Sequence, residues 1–429
     1  MIGSGVAGLS AAWLLSRRHH VTIFEKNGWL GGHANTVDVA CPEGDIPVDT
    51  GFIVYNPENY PNFVALLNHL GVESIGTDMS FGASVGDGRV EYSSRPRGLF
   101  GQRRNLVSPR FWGMLADILK FYKHTKTLDE AMTKGSLGEF LDSARYSQTL
   151  VNEHILPMCA AIWSTTPQQM RDYPMRSFLR FFSSHGLLQV MNRPQWRTVA
   201  GGSRAYVSAL VAAMDDKITV NLAARRVVRQ GGLIIVEDTQ GHGQVFTDVV
   251  IAAHADQALA LLAEPSAAER AILSAFRYTP NVAVLHDDRT LMPKRKSVWS
   301  SWNYMGTDDA DADQPLCVTY WMNYLQSLKT KRELFVTLNP LREPTPESVI
   351  RTFNYEHPLF DGAALSAQDE LWSLQGHHNT WFCGSYFGYG FHEDALQSGL
   401  AIASAFGETT PWVAQPGRIA VAPLLEAAE

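Results

Sequence analysis

Residues 2–25 read IGSGVAGLSAAWLLSRRHHVTIFE, and this stretch decides the fold. It contains Gly3-x-Gly5-x-x-Gly8, then a helix rich in Ala and Leu, then a short apolar strand that ends at Glu25. In a dinucleotide-binding βαβ unit the first glycine forms the tight turn, the second lets the backbone approach a pyrophosphate, and the third allows close packing of helix and strand. The helix N-terminus then faces the phosphates. We therefore predict a nucleotide site in which the Glu25 carboxylate accepts the ribose hydroxyls.

The strand before this motif is unusually short. Only Met1 and Ile2 precede Gly3, whereas a β-strand usually has about five residues. We therefore expect either a very short first strand or a natural chain that begins upstream of Met1.

Bulk properties exclude several classes of protein. The 429 residues carry a net charge of −7, so we expect no general attraction to nucleic acid. The four cysteines are scattered without a C-x-x-C pair, which argues against structural zinc and a disulfide framework. No apolar run reaches the ~20 residues of a membrane span, and no signal peptide precedes the glycine motif. We therefore expect a cytoplasmic protein that binds neither metal nor nucleic acid.

A second glycine cluster, Gly28-Trp-Leu-Gly31-Gly32-His33, follows shortly after Glu25. An NAD-binding Rossmann domain does not require it, whereas the longer cofactor FAD runs back over this loop. An ordinary turn is the alternative interpretation. The cluster favours FAD over NAD, and the chain contains no second G-x-G-x-x-G that would indicate a separate NAD(P)H domain.

The rest of the chain divides into a helix-rich insertion and a β-rich region. Residues 110–186 carry helical patterns without alternating strands, which indicates a layer that covers the substrate. Strand patterns from Ala224 onward return the chain to the nucleotide domain. We predict an α/β fold in which a Rossmann-like FAD-binding domain, residues 1–75, 196–275 and 376–429, is interleaved with an α+β substrate domain, residues 76–195 and 276–375.

Local patterns also predict individual elements. Alternation of apolar and polar residues predicts strands and hairpins, and a period of 3.6 residues predicts helices. On this basis we predict a strand over residues 20–24, hairpin turns at Gly82 and at residues 86–88, one helix over 146–162, a solvated loop at 308–313 and a helix over 395–405.

Two further stretches carry chemistry. Residues 380–394, TWFCGSYFGYGFHED, combine a strand, a loop of glycine and aromatic residues, and a helix start. In a flavoenzyme such a helix N-terminus can stabilise negative charge on the reduced ring. Residues 95–112, from Arg95 to Trp112, interleave five arginines with Leu, Phe and Trp. That segment is either a solvated basic loop before a buried helix or a surface that docks on anionic lipid.

Several of these motifs resemble the FAD-dependent amine oxidase-like superfamily, which includes monoamine oxidases, phytoene desaturases and protoporphyrinogen oxidases. They are GSGVAGLSAAWLL with FEK and GGH, the central GGS before a helix, and FCGSYFGYGFHEDALQSGLAIA. A narrower resemblance, carried by AAIWST, WRTVAGGSRAYV, SWNYM, VTYWMNYLQ and NYEHPLF, is to flavoproteins associated with cyclopropane-fatty-acid-synthase-type methyltransferases. Relatives in that group include the flavin desaturase of bacterial furan-fatty-acid synthesis.

The resemblance implies FAD bound in the interior. The residues that it implies for the cofactor are Gly3, Gly5, Val6, Ala7, Gly8, Glu25, Lys26, Gly31, Gly32, His33, Ala224, Gly384, Ser385, Glu393, Asp394, Ala395 and Leu396. The backbone near Ala224 would face the adenine, and the Leu396 N–H would lie near flavin O2. The lysine that many amine oxidases place near flavin N5 would align around Asp287, where no lysine stands, and this departure weakens amine oxidation.

The expected reaction removes two hydrogens from a methyl-branched, unsaturated fatty acyl chain, with hydride passing to the flavin. An existing double bond would help, because hydride loss from an allylic carbon leaves a delocalised cation. The candidate acceptors of the second proton are His392, Tyr386, Tyr389 and Glu356. The candidate residues along the acyl chain are Trp163, His185, Trp196, Trp302, Tyr304, Tyr320 and Trp321, for which a plain aromatic core is the alternative.

Other functions are compatible with the same residues. They are an amine oxidase, a flavin-dependent lipid isomerase or reductase, and an accessory subunit of a lipid methyltransferase. The expected partners are a fatty acyl or phospholipid substrate, a membrane surface reached through residues 95–112, and a fatty acid methyltransferase. The expected location is the cytoplasm, on the inner face of the cell membrane.

Overall fold

The computed structural model describes residues 1–128, 134–163, 166–189, 193–214, 218–220, 222–307 and 317–415. The predicted loop at residues 308–313 lies outside these ranges. The helices, labelled α1 to α15 in chain order, are Val6–Leu15, Pro61–Leu70, Pro96–Leu99, Pro109–Thr125, Leu137–Ser143, Gln148–Leu150, Leu156–Trp163, Pro167–Arg171, Met175–Ser184, Arg204–Ala212, Ala255–Leu261, Ala267–Leu273, Met322–Leu325, Gly362–Gln368 and His392–Ala405. No helix among the described residues is long and apolar enough to cross a membrane.

The strands are labelled β1 to β19 in the same way. They are Ile23–Glu25, Thr36–Cys41, Gly44–Asp49, Val54–Tyr55, Ser74–Gly76, Phe81–Val85, Val90–Ser93, Arg197–Val199, Ile218–Val220, Ala224–Gln230, Leu233–Asp238, Gly243–Phe246, Val249–Ile251, Arg277–His286, Trp302–Gly306, Cys317–Trp321, Phe335–Leu338, Val349–Leu359 and Thr380–Phe382.

A parallel sheet forms the half of the molecule that contains the glycine motif. β1 pairs in parallel with β9, and β13 pairs in parallel with β19. Ile2 joins the two pairs, because it bridges to Phe24 on one side and to Ile251 on the other. The strand before the glycine motif is thus reduced to one bridging residue at the centre of this sheet.

Helix α1 is buried on every side, as its sequence VAGLSAAWLL predicts. It packs against α15 on one side and approaches Ala252, at the end of β13, on the other. A Cβ atom at Gly8 would lie 2.1 Å from the Gly3 carbonyl oxygen, and one at Gly399 would lie 2.2 Å from the Ala7 oxygen. Glycine at both positions therefore allows two backbones to approach on opposite sides of α1.

A seven-stranded sheet forms the floor of the other half. Its order is β18-β14-β17-β16-β15-β6-β7, antiparallel except for the parallel pair of β6 and β15. These strands come from residues 76–195 and 276–375, and the strands of the parallel sheet come from the other three predicted ranges. The domain boundaries themselves stay a prediction.

Helix α4 packs on β6 and β7, and α7 contacts β15, whereas α5 packs against α8 and α9. The helix predicted over residues 146–162 is divided into α6, a π-helical turn at Val151–Ile155, and α7. The cause is Pro157, which has no N–H to offer to the Glu153 carbonyl four residues earlier. That carbonyl accepts a hydrogen bond from the Tyr92 hydroxyl at 2.7 Å instead.

Three other local predictions need correction. The second strand occupies Ile23–Glu25 and not residues 20–24. Gly82 lies inside β6 and not in a turn. A Cβ there would approach the Asn303 side-chain oxygen to 3.0 Å, so close packing explains the glycine. Helix α15 begins at His392, three residues before the predicted start. The long strand β18 was missed because charged residues and Pro358 interrupt its apolar alternation.

Candidate active site

A cavity of about 1140 Å³ is lined by residues of both sheets. Its wall extends from the glycine motif at the start of α1 to Trp302 and Tyr320 of the seven-stranded sheet. A typical small-molecule pocket measures ~300–1,000 Å³. The cavity is therefore large enough for a cofactor and a second molecule beside it.

The glycine motif forms one end of this cavity. Gly3 has φ +100°, and a Cβ there would lie 2.5 Å from the Ala252 carbonyl oxygen. At Gly5, by contrast, a Cβ meets no atom within 4 Å. Gly5, Val6 and Ala7 line the cavity at the N-terminus of α1, where unpaired backbone N–H groups attract an anion. Gly8 does not line it and acts only in helix packing.

Glu25 ends β1 at the cavity wall and is held in place by its neighbours. One of its carboxylate oxygens accepts hydrogen bonds from Ser4 N at 3.0 Å and Ser4 Oγ at 2.6 Å. The other oxygen accepts from Asn27 N at 2.8 Å. Because an ionised carboxylate has about four acceptor positions, Glu25 can still accept a further hydroxyl. Lys26 and Ala224 line the cavity nearby.

The second glycine cluster lies directly against the first. Gly31 N donates to the Ser4 carbonyl at 3.0 Å, and Phe52 N donates to the His33 carbonyl at 2.7 Å. A Cβ at Gly51 would lie 2.3 Å from that same His33 oxygen. Gly31, Gly32 and His33 all line the cavity. The His33 Nε2 atom is buried without a hydrogen-bond partner among the described residues.

Asp49 connects the two halves beneath this loop. Its buried carboxylate accepts from Ser203 N at 2.9 Å, at the start of α10, and from Thr36 Oγ1 at 2.6 Å. It also accepts from Gln326 Nε2 at 2.7 Å, at the end of α13 in the substrate half. Thr50 and Gly51, which follow Asp49, line the cavity. Asp49 therefore positions the loop beside the cavity.

The start of α15 forms part of the wall, but with fewer residues than predicted. Because the helix begins at His392, only His392 and Ala395 face the cavity, one helical turn apart. The Glu393 carboxylate turns away and accepts from Asn62 and Phe63 backbone N–H groups at the start of α2.

Two other residues of this helix are also placed outside the cavity. Asp394 accepts from the backbone N–H groups of Tyr389 and Phe391 at 3.1 and 2.9 Å, so it caps the helix. The Leu396 side chain is fully buried in the main core. The side chains of Glu393 and Asp394 therefore do not line the cavity, which corrects their assignment to the cofactor wall, whereas the Leu396 N–H near flavin O2 stays a prediction.

The far end of the cavity carries an aromatic wall, formed by Trp163, Phe181, His185, Trp196 and Phe391. The Phe181 ring stacks on Phe391 at 4.8 Å and on His185 at 3.9 Å. Trp163 lies 4.9 Å from Phe181. Phe181 and Phe391 were not predicted, because an apolar residue on an amphipathic helix or in a loop cannot be distinguished from ordinary core by sequence.

Trp302 and Tyr320 face the cavity from the seven-stranded sheet, with their rings 5.2 Å apart. Two predicted neighbours do not. Tyr304 lies two residues farther along β15, where it is covered by the cluster that contains Ala160. Trp321 points to the opposite face of β16 from Tyr320 and packs on Trp299 at 5.5 Å.

A sequence profile described as flavin containing amine oxidoreductase matches residues 6–405. The chain belongs to this family. A curated relative is the Mycobacterium tuberculosis protein named flavin-containing monoamine oxidase AofH, 28% identical over 259 residues. That match covers 57% of this chain and 54% of the relative, so it spans about half of the curated protein.

Solved structures share the fold. A CLA-producing fatty acid isomerase from P. acnes superposes with a TM-score of 0.66 at 15% identity, over 94% of this chain and 97% of that one. Cyclohexylamine oxidase from Brevibacterium oxydans gives a TM-score of 0.66 at 14% identity, over 95% and 98%. At this identity the likeness shows fold alone. It confirms the predicted two-domain amine oxidase-like fold.

Family membership makes this chain a flavin-dependent oxidoreductase with FAD as its cofactor. The cavity fits FAD on two observations. Gly5 leaves open space at the N-terminus of α1 where a pyrophosphate can approach, and the buried His33 Nε2 has no partner within the described protein. Gly5, Glu25 and the loop at Gly31 would hold the cofactor, which supplies hydride acceptance when bound.

The four candidate proton acceptors of this flavoprotein all line the cavity but form two groups. Glu356 accepts from Gln257 Nε2 at 2.9 Å and lies 3.3 Å from His254 Nδ1, near Lys26 and the nucleotide end. Tyr386 lies beside Phe276, and burial raises the pKa of its hydroxyl, which has no described partner.

The other two candidates lie next to the aromatic wall. The Tyr389 hydroxyl accepts from Arg180 Nη1 at 2.9 Å. His392 Nε2 is 2.8 Å from the Tyr206 hydroxyl, and its ring stacks on Phe52 at 3.7 Å. Burial lowers the pKa of His392 to about 3. Its imidazole is therefore neutral at pH 7, and a neutral imidazole is able to take a proton.

Four histidines at the cavity have lowered pKa values, and we therefore predict that acid strongly lowers the folding stability of the cofactor-free flavoprotein. Burial lowers the pKa of His33 and His254 to about 4 and that of His357 and His392 to about 3. Unfolded histidine titrates near 6.5, so the unfolded chain binds more protons between pH 6.5 and 4. Stability is therefore present above pH 6.5 and is lost as pH falls through this window, with a slope of up to ~1.4 kcal/mol per pH unit for each histidine.

Asp49 acts in the opposite direction, because burial raises its pKa to about 6. One carboxyl cannot offset four histidines. The melting temperature of the cofactor-free protein should fall steadily from pH 7 to pH 5, and His357→Gln should make the fall shallower. A melting temperature that stays constant over this range would contradict the neutral state of these histidines.

Proposed function

We propose that this flavoprotein dehydrogenates the carbon chain of a methyl-branched, unsaturated fatty acyl lipid. The observation that carries the proposal is the chemistry of the cavity wall beyond the cofactor residues. Among the described lining residues contributed by residues 76–195 and 276–375, Glu356 is the one charged side chain. Its partners Gln257 and His254 hold it at the nucleotide end. The remaining wall suits an uncharged, apolar chain.

Two polar atoms in this apolar wall suggest how an acyl group is oriented. The indole N–H groups of Trp163 and Trp302 are buried without a hydrogen-bond partner in the described part of the chain. A buried donor without a partner costs free energy, and an ester or carboxyl oxygen of the substrate would satisfy it. The same fold occurs in a fatty acid isomerase and in an amine oxidase, so the fold is compatible with a lipid substrate but does not select it.

The proposed reaction removes one hydrogen as hydride, which a bound flavin would accept, and one as a proton. His392 is the proposed acceptor of the proton, since its ring lines the cavity, stacks on Phe52 and follows Phe391 of the aromatic wall. The electron pair of the second C–H bond becomes the new double bond. General-base catalysis contributes typically ~10²–10⁴-fold, so His392→Gln should lower the rate of flavin reduction by about that factor.

Anaerobic mixing with a methyl-branched, monounsaturated phospholipid tests the proposal. The expected result is bleaching of the flavin absorbance with formation of one conjugated diene per flavin. His392→Gln should bleach more slowly while retaining its flavin, and Tyr304→Phe, which lies outside the cavity, serves as the control. Absence of bleaching with lipid would overturn the dehydrogenase.

An amine oxidase is the second candidate, favoured by the family and by the aromatic wall. The faces of Phe181, Phe391 and Trp163 could attract an ammonium group. The described wall contains no lysine except Lys26, which follows Glu25 at the nucleotide end. Bleaching by a primary amine but not by lipid would establish this alternative. A shifted double bond without bleaching would instead establish a lipid isomerase.

A further inference from the structure

Residues 94–127 form a strongly basic surface on an acidic protein. This stretch contains eight lysine and arginine residues and a single acid, Asp117, whereas the whole chain has a net charge of −7. Asp117 is itself engaged, because its carboxylate accepts from Ser147 N at 3.2 Å. The surface therefore presents positive charge without a neighbouring exposed acid from the same stretch.

Large apolar side chains are exposed within this basic surface. Leu106 is 51%, Val107 82%, Trp112 50% and Leu119 58% exposed. Trp112 and Leu119 lie on the outer face of α4, seven residues apart and thus on one side of the helix. The Trp112 indole donates to the Leu106 carbonyl at 3.0 Å, which holds the preceding turn against this face.

Two arginines of the basic segment predicted from sequence have partners within the fold and are not available to bind another molecule. The Arg95 guanidinium stacks over the Tyr324 ring at 4.5 Å and donates to the Trp299 carbonyl. Arg110 forms an ion pair with Glu153 at 2.5 Å. These two arginines act within the fold. From the other exposed residues of the stretch we select Arg103, Arg104, Leu106, Val107, Trp112 and Leu119 and call them the docking face.

The docking face is one side-chain layer from the cavity. On the inner side of α4, Phe111 and Met114 are buried in a cluster against which Phe81 packs. Phe81 also lines the cavity, as Trp163 of α7 and Phe181 of α9 do. A molecule held at the docking face would therefore lie close to the apolar part of the cavity.

We propose that this docking face binds the surface of an anionic lipid bilayer. Basic side chains attract the headgroups, and Trp, Leu and Val insert at the boundary with the acyl chains. The exposed apolar residues favour a lipid surface as the partner, because non-specific binding to a nucleic acid backbone depends on basic side chains and gains nothing from exposed Leu and Val. The inference deepens the proposed function and rests on it in one respect, namely that the acyl substrate arrives as part of a phospholipid.

Vesicle co-sedimentation of the FAD-loaded protein tests the docking face. The protein should sediment with phosphatidylcholine vesicles that contain about 30% phosphatidylglycerol, much less with pure phosphatidylcholine, and less at high salt because the surface charges are screened. Arg103→Glu with Arg104→Glu should weaken binding at least ~10-fold. The matched control, Arg270→Glu with Arg342→Glu, makes the same charge change at exposed positions elsewhere and should bind normally.

The apolar contribution is tested separately. Trp112→Ser should weaken binding to the same vesicles, and Val245→Ser, at an equally exposed apolar residue of β12, should not. Unchanged binding of the Arg103/Arg104 variant, or binding to duplex DNA but not to vesicles, would overturn the proposal. If lipid in detergent micelles bleaches the flavin but the protein does not bind vesicles, the docking proposal is refuted and the proposed dehydrogenase stands. If the protein binds vesicles but lipid does not bleach the flavin, the proposed dehydrogenase is refuted and the docking proposal stands.

Discussion

Gly5→Val is expected to yield a folded protein that binds FAD at least ~100-fold more weakly, which corresponds to ~2.7 kcal/mol. A Cβ at Gly5 has no protein atom within 4 Å, and Gly5 has φ −64°, so the backbone there can carry a side chain. The added side chain does enter the cavity at the N-terminus of α1, where the phosphates of the cofactor need close access to the backbone. Titration of the apoprotein with FAD, followed by flavin fluorescence, measures the loss.

Gly8→Val is the matched comparison at the same motif. Its Cβ would lie 2.1 Å from the Gly3 carbonyl oxygen, so this variant should fail in folding and not merely in binding. The melting temperature of cofactor-free Gly5→Val should equal that of the cofactor-free parent. Normal flavin content in Gly5→Val would place the phosphates elsewhere and refute the assignment of this end of the cavity.

Glu393→Ala is expected to lower the free energy of unfolding by ~1–3 kcal/mol, because it leaves buried hydrogen-bond donors without an acceptor. The Glu393 carboxylate is fully buried and accepts hydrogen bonds from Asn62 N, Asn62 Nδ2, Phe63 N and Gln397 Nε2, each between 2.9 and 3.0 Å. Its loss leaves these donors buried without an acceptor and removes a negative charge from the N-terminus of α2.

Thermal unfolding of the FAD-loaded protein measures this effect. Glu347→Gln, at an exposed position, is the control and should leave the melting temperature within about 1 °C of the parent. At temperatures well below melting, Glu393→Ala should keep the flavin absorbance spectrum of the parent, because its side chain does not face the cavity. A shifted flavin spectrum together with an unchanged melting temperature would indicate that Glu393 contacts the cofactor.

The nucleotide end of the site could be predicted because it is local in sequence. Gly3, Gly5, Gly8 and Glu25 fall within one βαβ unit, where spacing alone fixes geometry. The contribution of Ser4, which binds the Glu25 carboxylate, was missed even there. A small polar residue between two glycines has no distinctive pattern, so only the structure reveals its role.

The far end of the site could not be predicted in the same way. Tyr320 and Trp321 are adjacent in sequence, but they point to opposite faces of β16, and sequence does not say which face is lined by the cavity. Similarly, the start of α15 depends on the Asp394 cap, and a shift of three residues there moves Glu393 from the cavity to α2. Such assignments depend on contacts between distant segments.

The position of Ile2 in the parallel sheet also determines when a newly synthesised chain can form its cofactor site. Ile2 pairs with Ile251, β13 completes its pairing with β19, and α15 covers α1. On the ribosome, the glycine motif stays without these neighbours until residues up to Ala405 have been synthesised. Because contacts so distant in sequence form late, FAD should bind only after all of these segments have been synthesised.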